Sequence, residues 1–215
     1  MNSIVNSDPT RDASELAVAL EDGSQVLIRA IGPDDKRLVA AAYDRLSEES
    51  RRRRFLAAPA RLTNEDLRYL TEVDHRRHEA LIALDPKTGE LVGDARYVRL
   101  PGQRKTAELG ALVVDDWQGR GIATALLGEL TRRARANGIS RYTAVVAADN
   151  RLVLEVLERN GARRTGAGGR EVDLEIELPS EELPRSLRGA LRWAAEGHLR
   201  LLDGLARRLM PAPPR

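Results

Sequence analysis

The sequence predicts an α/β domain, a mixed and mostly antiparallel sheet flanked by helices, with a helical appendage at its C-terminal end. Three observations lead there. Residues 80–84, 90–100 and 105–114, the last with an apolar run from Ala107 to Val114, are separated by turn-forming segments and read as antiparallel strands with tight connections. Residues 105–114 then enter a glycine-containing turn and a stretch with Leu126, Leu127, Leu130 and Ala134 at helical spacing, and a strand at 141–148 follows. One strand–helix–strand unit therefore joins the antiparallel set. Beyond Pro179, Leu187, Leu191, Ala195, Leu199, Leu202 and Leu209 form an apolar stripe of their own.

Composition bounds the rest. The chain has 215 residues, enough for one sizeable domain and an appendage. Hydrophobic residues at 42% and charged residues at 32% fit a globular chain, and aromatics at 3% leave the core to aliphatic side chains. A formal net charge of +2 gives no general attraction to nucleic acid, and no such partner is expected. The absence of cysteine excludes disulfides, thiolate metal sites and cysteine nucleophiles. His75 and His78 are spaced to share a helix face, but no third ligand accompanies them, so no metal is expected. No run reaches the ~18 apolar residues of a membrane span. The N-terminus lacks the basic and apolar regions of a signal peptide, which makes the cytoplasm the expected location.

Taken in order, residues 1–24 are expected to be a flexible tail and lead-in, and residues 25–29 the first strand. Gly32-Pro33-Asp34-Asp35 turns the chain into a helix with Leu38, Ala41, Ala42, Tyr43 and Leu46 on its inner side. Ser47-Glu48-Glu49-Ser50 reads as a second helix start, followed by the like charges Arg51, Arg52, Arg53 and Arg54. Such a run is either a solvated helix face or an electrostatic lip for an anionic partner. Thr63-Asn64-Glu65-Asp66 opens another helix, with Leu67, Leu70 and Val73 facing inward. Pro86-Lys87-Thr88-Gly89 suits a hairpin, Pro101-Gly102 a turn, and Asn137-Gly138 a helix stop. A further helix opens at residues 148–150 and closes at Gly161, and Val172, Leu174, Ile176 and Leu178 alternate with charged residues as a half-exposed strand. The main domain is thus expected to occupy residues 25–178. Residues 179–215 form a basic amphipathic extension suited to docking on the domain, to a second copy in a homodimer, or to a membrane surface.

Most of the chemistry sits between Val113 and Ala123. A strand that feeds a helix through Gly119 and Gly121 exposes unpaired backbone N–H groups at the positive end of the helix dipole. That is an anion site, unless the turn is plain strand-to-helix geometry. No Gly-Lys-Ser/Thr ends it and the G-x-G-x-x-G spacing is missing, so it is neither a P-loop nor a dinucleotide fingerprint. Gln118 to Ala123 does match Q/R-x-x-G-x-G/A.

In that pattern the stretch resembles the pyrophosphate loop of the GNAT superfamily of CoA-dependent N-acyltransferases. The wider run from Ala107-Glu108 to Gly121, with Asp-Asp-Trp-Gln-Gly-Arg-Gly inside it, is similar to the bacterial protein lysine acetyltransferases of that superfamily. The resemblance covers residues 26–178 and extends to the order of the elements. It implies acetyl-CoA as cosubstrate, held by the backbone of Gln118, Gly119, Arg120, Gly121, Ile122 and Ala123, with Arg120 adding a charge-assisted contact to phosphate. It also implies a pantetheine arm paired with Val113 and Val114 and hydrogen-bonded by Asn150, and an oxyanion donor at the Val114 N–H.

A lysine amine has a pKa near 10.4, so a base must take its proton at neutral pH. Glu108 is the one acid inside the apolar run ending at Val114. By itself it is equally a strand-edge glutamate facing water or paired with Arg104 or Lys105. It stands ten residues before Gln118, where the lysine acetyltransferases carry their general base, so the resemblance makes it the catalytic candidate. Asp74, His78 and Glu79 are the expected substrate entrance, with His75 as a further exposed imidazole. Two positions depart from the family pattern: Leu157 stands where many members have a tyrosine acid, and Ala162 stands where a phenylalanine is usual, which would widen the site. The expected function is acetyl transfer to a primary amine, a protein lysine in particular. The alternatives are a polyamine or antibiotic amine as acceptor, and a non-catalytic acyl-CoA-binding module.

Overall fold

The computed structural model describes residues 15–20, 22–48, 50–51, 61–148, 151–159, 161–168 and 171–178. Its strands are β1 (Leu16–Ala19), β2 (Gln25–Ala30), β3 (His78–Leu84), β4 (Leu91–Arg99), β5 (Thr106–Val113), β6 (Arg141–Ala147), β7 (Arg163–Gly168) and β8 (Glu171–Glu177). Its α-helices are α1 (Lys36–Asp44), α2 (Asn64–Thr71), α3 (Ile122–Ala136) and α4 (Arg151–Arg159). The strands form one sheet in the order β1-β2-β3-β4-β5-β6-β8-β7.

Neighbouring strands are antiparallel except β5 and β6, which are parallel. A parallel pair needs a long crossover, and α3 supplies it. The mixed sheet expected from the sequence is therefore present, with its parallel step at the glycine turn.

Side-chain alternation sorts the sheet into two faces. On one face Ala107, Leu109, Ala111 and Val113 of β5 and Ala95 and Tyr97 of β4 pack under Ile122, Ala123, Leu126, Leu127, Leu130 and Ala134 of α3. The helix sits close because β4 has Gly93 beneath its first turn, where a Cβ would lie 2.9 Å from Ile122 Cγ2 and 3.0 Å from Leu126 Cδ1. On the other face Ala80, Ile82 and Leu91 pack with Ile31 and Ala42, and Tyr43, Leu46 and Leu70 meet Leu112. The α1–α2 layer thus covers the face that carries Glu108, Gly110 and Leu112.

The helix ends follow from local chemistry. Thr63 and Asp66 form a reciprocal cap on α2: Asp66 N–H donates to Thr63 Oγ1 at 3.2 Å, and Thr63 N–H to Asp66 Oδ2 at 2.7 Å. At the end of α3, Ile139 N–H donates to Ala134 O and Gly138 N–H to Arg135 O, with Gly138 at φ 78°. This paired bond is the one an Asn-Gly stop predicts.

Two strands were not legible. The sheet begins at Leu16, inside the segment expected to be a tail, because the turn Asp22-Gly23-Ser24 folds β1 onto β2. That turn is built by Ser24 N–H and Oγ on Asp22 Oδ1 and by Gly23 at φ 82°. Strand β7, Arg-Arg-Thr-Gly-Ala-Gly in sequence, shows no apolar alternation and is held at the sheet edge by β8. The C-terminal extension, Asn150 and Arg52 to Arg54 lie outside the described residues. Among those described, no helix is long and apolar enough to cross a membrane.

Candidate active site

The parallel pairing of β5 with β6 lasts three residues: Thr106, Ala107 and Glu108 opposite Arg141, Tyr142 and Thr143. Beyond Glu108 the two strands part, while β5 stays paired with β4 as far as Val113. The rest of β5 therefore presents backbone groups to a gap. Which residues do so follows from the ladder. Leu100 N–H donates to Thr106 O and Val114 N–H to Val92 O, both at 3.0 Å. In an antiparallel ladder, alternate residues then turn their backbone groups to β4, namely Thr106, Glu108, Gly110, Leu112 and Val114. Leu109, Ala111 and Val113 turn theirs to the opposite side. Gln118 Nε2 donating to Val113 O at 3.1 Å fits this assignment.

This changes part of the expected cofactor strand. Val113 faces the gap, as the resemblance implies. Val114 does not: its N–H is spent on Val92 and its side chain is buried with Ile31 and Ala80. Ala111 is the neighbouring residue along the strand whose backbone groups turn, like those of Val113, to the gap. It was missed because the register, not the residue type, decides which N–H points outward. Counting two back from Val113 would have found it.

At the end of β5, Asp115–Trp117 form a single 3-10 turn, and Gly119 and Gly121 adopt left-handed φ of 77° and 93°. An L-residue with a Cβ enters that region at a cost, so the turn requires glycine at both places. Gly121 caps α3 without any side-chain hydrogen bond. The N–H groups of Ile122, Ala123 and Thr124 open the helix with no intrahelical partner, since the first helical bond is Ala125 N–H to Gly121 O. A Cβ at Gly119 would meet nothing within 4 Å, so the space above the turn is clear. Free donors, helix dipole and clear space together fit a pyrophosphate.

Two loop residues act otherwise than expected. Gln118 N–H donates to Asp115 O at 3.2 Å, and its side chain braces the turn through Val113 O and Asp115 Oδ1. Arg120 lies over the Trp117 ring, 4.5 Å from its centroid, donates to Asp116 O and approaches Asp22 at 3.5 Å. Its charge stays half-exposed beside the turn.

Glu108 is buried, 6% exposed, on the α1–α2 face at the last paired position before the gap. Its neighbours across the sheet are Val98 on β4 and Thr143 on β6. Val98 in turn pairs with His78 of β3, so His78 and Glu108 lie on one face about 10 Å apart at the Cα atoms. His78 is enclosed by the Tyr69 ring and by Arg96, whose Nη1 comes within 3.4 Å of Nε2. Burial, with Arg96 next, pushes its imidazole down to about 3. At neutral pH it is therefore an uncharged ring beside Arg96. Arg96 is held by two bonds to Asp94 and one to Leu70 O.

Asp74 and Glu79 do not join this group. Asp74 Oδ1 accepts the N–H groups of Arg76, Arg77 and His78 and shapes the turn into β3. Burial pushes its carboxyl up, but the three donors outweigh burial and hold it below the usual carboxylate range. Glu79 pairs with Tyr97 and so points to the α3 face, opposite Glu108. There it binds His75 Nδ1 at 2.8 Å and lies 3.7 Å from Arg133. The one-residue step from His78 to Glu79 reverses the face, which places the two expected entrance residues on opposite sides of the sheet.

Of the two departures from the family pattern, Leu157 is fully buried in the α3-side core, so no hydroxyl acid stands there. Ala162 is buried in the same core. Arg51 is packed over the Tyr43 ring and donates to Asp44 O. A cavity of about 490 Å³ runs along α3 from Gly121 to Arg135 against Leu16, Val18 and Leu20. It lies on the α3 face, away from Glu108. Among the described residues no group of three His, Cys, Asp or Glu is placed to hold a metal.

The model of the acetyltransferase (GNAT) family matches residues 36–162. Acetyltransferase Pat of Mycolicibacterium smegmatis is 32% identical over 164 residues, 76% of this chain and 49% of that protein. The chain therefore spans about half the length of that curated relative. The crystal structure of the GNAT domain of PAT from S. lividans aligns with a TM-score of 0.68 at 31% identity, covering 76% of this chain and 97% of that one. A cAMP-binding acyltransferase from Mycobacterium smegmatis aligns with a TM-score of 0.54 at 27% identity, over 86% of this chain and 54% of that one. The parted strands, the glycine-bracketed helix start and these matches lead to one conclusion: the chain belongs to the GNAT acetyltransferase family.

Proposed function

We propose that the protein transfers an acetyl group from acetyl-CoA to a primary amine, a lysine side chain on another protein, with Glu108 as general base. The observation that carries the reading is the position of Glu108: a buried carboxylate at the point where β5 and β6 part, with free backbone donors following it on the same strand. Acetyl-CoA supplies the thioester carbonyl. The N–H groups of Ile122, Ala123 and Thr124 hold its pyrophosphate, and Ala111 and Val113 direct N–H groups into the gap. Those donors suit an oxygen that gains negative charge as the amine attacks. Glu108 takes the ammonium proton, directly or through water, and the neutral nitrogen attacks the thioester carbonyl; as the C–S bond breaks, the second amine proton passes to the departing thiolate or to water, leaving the amide and free CoA. With Leu157 at the tyrosine position the thiolate leaves without a side-chain acid, and the burden of catalysis falls on the base.

The choice of a lysine over a polyamine rests on the acids. A polyamine calls for several carboxylates around one pocket, and the candidates were Asp74, Glu79 and Glu108. Asp74 is occupied by its turn and Glu79 faces the other side. One carboxylate suits a single amine on a long arm.

The test is acetylation of a folded acidic protein, a lysine peptide and spermidine by labelled acetyl-CoA, with wild type and Glu108→Gln. At pH 7 only about 1 in 2,500 free lysine amines is neutral. Loss of the base is therefore expected to lower kcat by ~10²–10⁴-fold. The deficit should shrink as pH rises toward 10, while acetyl-CoA affinity stays unchanged. Preference for spermidine, or wild-type turnover by Glu108→Gln at pH 7, overturns the assignment.

A further inference from the structure

We propose that Asp115 is a positioning residue for the acceptor amine: it fastens the segment at Ser47 and Ser50 to the turn that leads into the pyrophosphate loop. The proposal rests on the acetyl-transfer reading above and goes beyond it by coupling the acceptor's entrance to the cofactor loop.

The segment follows α1 and Leu46. Leu46 packs with Tyr43 and Leu70 against Leu112, on the face of the sheet that carries Glu108. Ser47, Ser50 and Arg51 therefore stand on the acceptor side, at the loop end of β5. Their internal bonds form one tight turn: Arg51 N–H to Ser47 O at 2.9 Å and Ser50 N–H to Ser47 Oγ at 3.1 Å. The link from this turn to the sheet is Asp115, more than sixty residues away in sequence. Its Oδ2 accepts Ser47 N–H at 2.6 Å, and its Oδ1 accepts Ser50 Oγ at 2.5 Å. Gln118 Nε2 also donates to Oδ1, at 3.1 Å, and the same nitrogen holds Val113 O. One carboxylate thus collects three donors, two from the acceptor side and one from the cofactor loop.

This arrangement has a consequence for binding. Asp115 opens the 3-10 turn that delivers the chain to Gly119 and Gly121. Any settling of that turn on the pyrophosphate is passed to Ser47 and Ser50 through charge-assisted bonds, which are short and directional. The acceptor entrance then takes its final shape after acetyl-CoA binds. A carboxylate is needed because it has two acceptor oxygens. Asparagine has one, so Asp115→Asn can keep Ser50 and Gln118 on its oxygen only by setting an NH₂ against Ser47 N–H.

The experiment uses the full chain with Asp115→Asn and Ser50→Ala. Acetylation of a single-lysine peptide is measured beside acetyl-CoA affinity by calorimetry and the slow hydrolysis of acetyl-CoA without amine. Asp115→Asn and Ser50→Ala are each expected to raise the peptide KM roughly 10-fold, the scale of one charge-assisted hydrogen bond. In Ser50→Ala, which leaves the bond between Gln118 and Asp115 in place, acetyl-CoA affinity, hydrolysis and kcat at saturating peptide should stay within about 2-fold. Amide exchange adds a readout that a merely structural role would leave unmoved. Acetyl-CoA should protect the Ser50 and Arg51 amides in the wild type and not in Asp115→Asn. An unchanged peptide KM in either folded variant overturns the proposal, and so does a parallel loss of acetyl-CoA affinity in Ser50→Ala. If the wild type neither binds acetyl-CoA nor acetylates any amine, the transfer reading itself fails.

Discussion

The seating of α3 on β4 is the packing on which the cofactor loop depends, and Gly93→Ala tests it. The added Cβ would stand 2.9 Å from Ile122 Cγ2 and 3.0 Å from Leu126 Cδ1, where ordinary carbon contacts are ~3.5–4.0 Å. Both side chains are 1% exposed or less, so neither can swing into open space. The first turn of α3 must lift by roughly half an ångström, and overpacking of this kind costs ~1–3 kcal/mol. Gly93 has no left-handed φ, so alanine also removes freedom from the unfolded chain and returns about 0.4–1 kcal/mol. The net loss is about 1–2 kcal/mol, or a Tm lower by ~2–8 °C for a chain of this size. Gly128→Ala supplies the opposite sign. It lies within α3, and its Cβ would meet nothing within 4 Å, so ~0.5–1 kcal/mol of stabilisation is expected. Urea melts of both variants, read at constant m, measure the two effects. Because Ile122 carries one of the free N–H groups, Gly93→Ala should also weaken acetyl-CoA binding several-fold, whereas Gly128→Ala should not. A neutral or stabilising Gly93→Ala beside a stabilising Gly128→Ala would refute the packing argument.

Two other perturbations have clear signs. Asp94→Asn leaves Arg96 buried without its counter-charge, and a loss of ~3–5 kcal/mol in urea melts is expected, the usual result of breaking a buried pair from one side. Asp94→Leu combined with Arg96→Met should cost much less than Asp94→Asn; an equal loss would mean that the pair itself stabilises the fold. His75 is raised above its usual 6.5 by its hydrogen bond to Glu79, so its contribution is complete below pH 6.5 and is lost as pH rises through the higher folded-state value. His75→Asn keeps a residue that tolerates the φ of 53° and should flatten the decline in stability above pH 6.5; an identical decline would assign it to another group.

The strands from His78 to Val113 were legible because strong turn signals bound each of them and β3 and β5 carry apolar runs, and the start and stop of α3 because glycines mark both ends. The same glycines made the turn before α3 legible, since the absence of a Cβ permits their left-handed φ values. Strand β1 was hidden by its length of four residues with no polar alternation, and β7 by its charges and glycines. Both are edge strands that owe their conformation to a partner, which no local pattern records.

At the site the division falls between residue type and register. The sequence by itself determined that an acid sits within the β5 run, that the turn needs Gly119 and Gly121, and that no hydroxyl stands at position 157. These depend on composition at fixed spacing along one element. Only the tertiary structure decided that Val114 spends its N–H on Val92 while Ala111 points into the gap, and that Glu79 faces away from Glu108. It also decided that Asp115 carries Ser47 and Ser50. Each of these is fixed by strand pairing or by contacts between residues remote in sequence. A shift of one residue in β3 or β5 would reverse the face of every side chain without altering the pattern that predicts a strand.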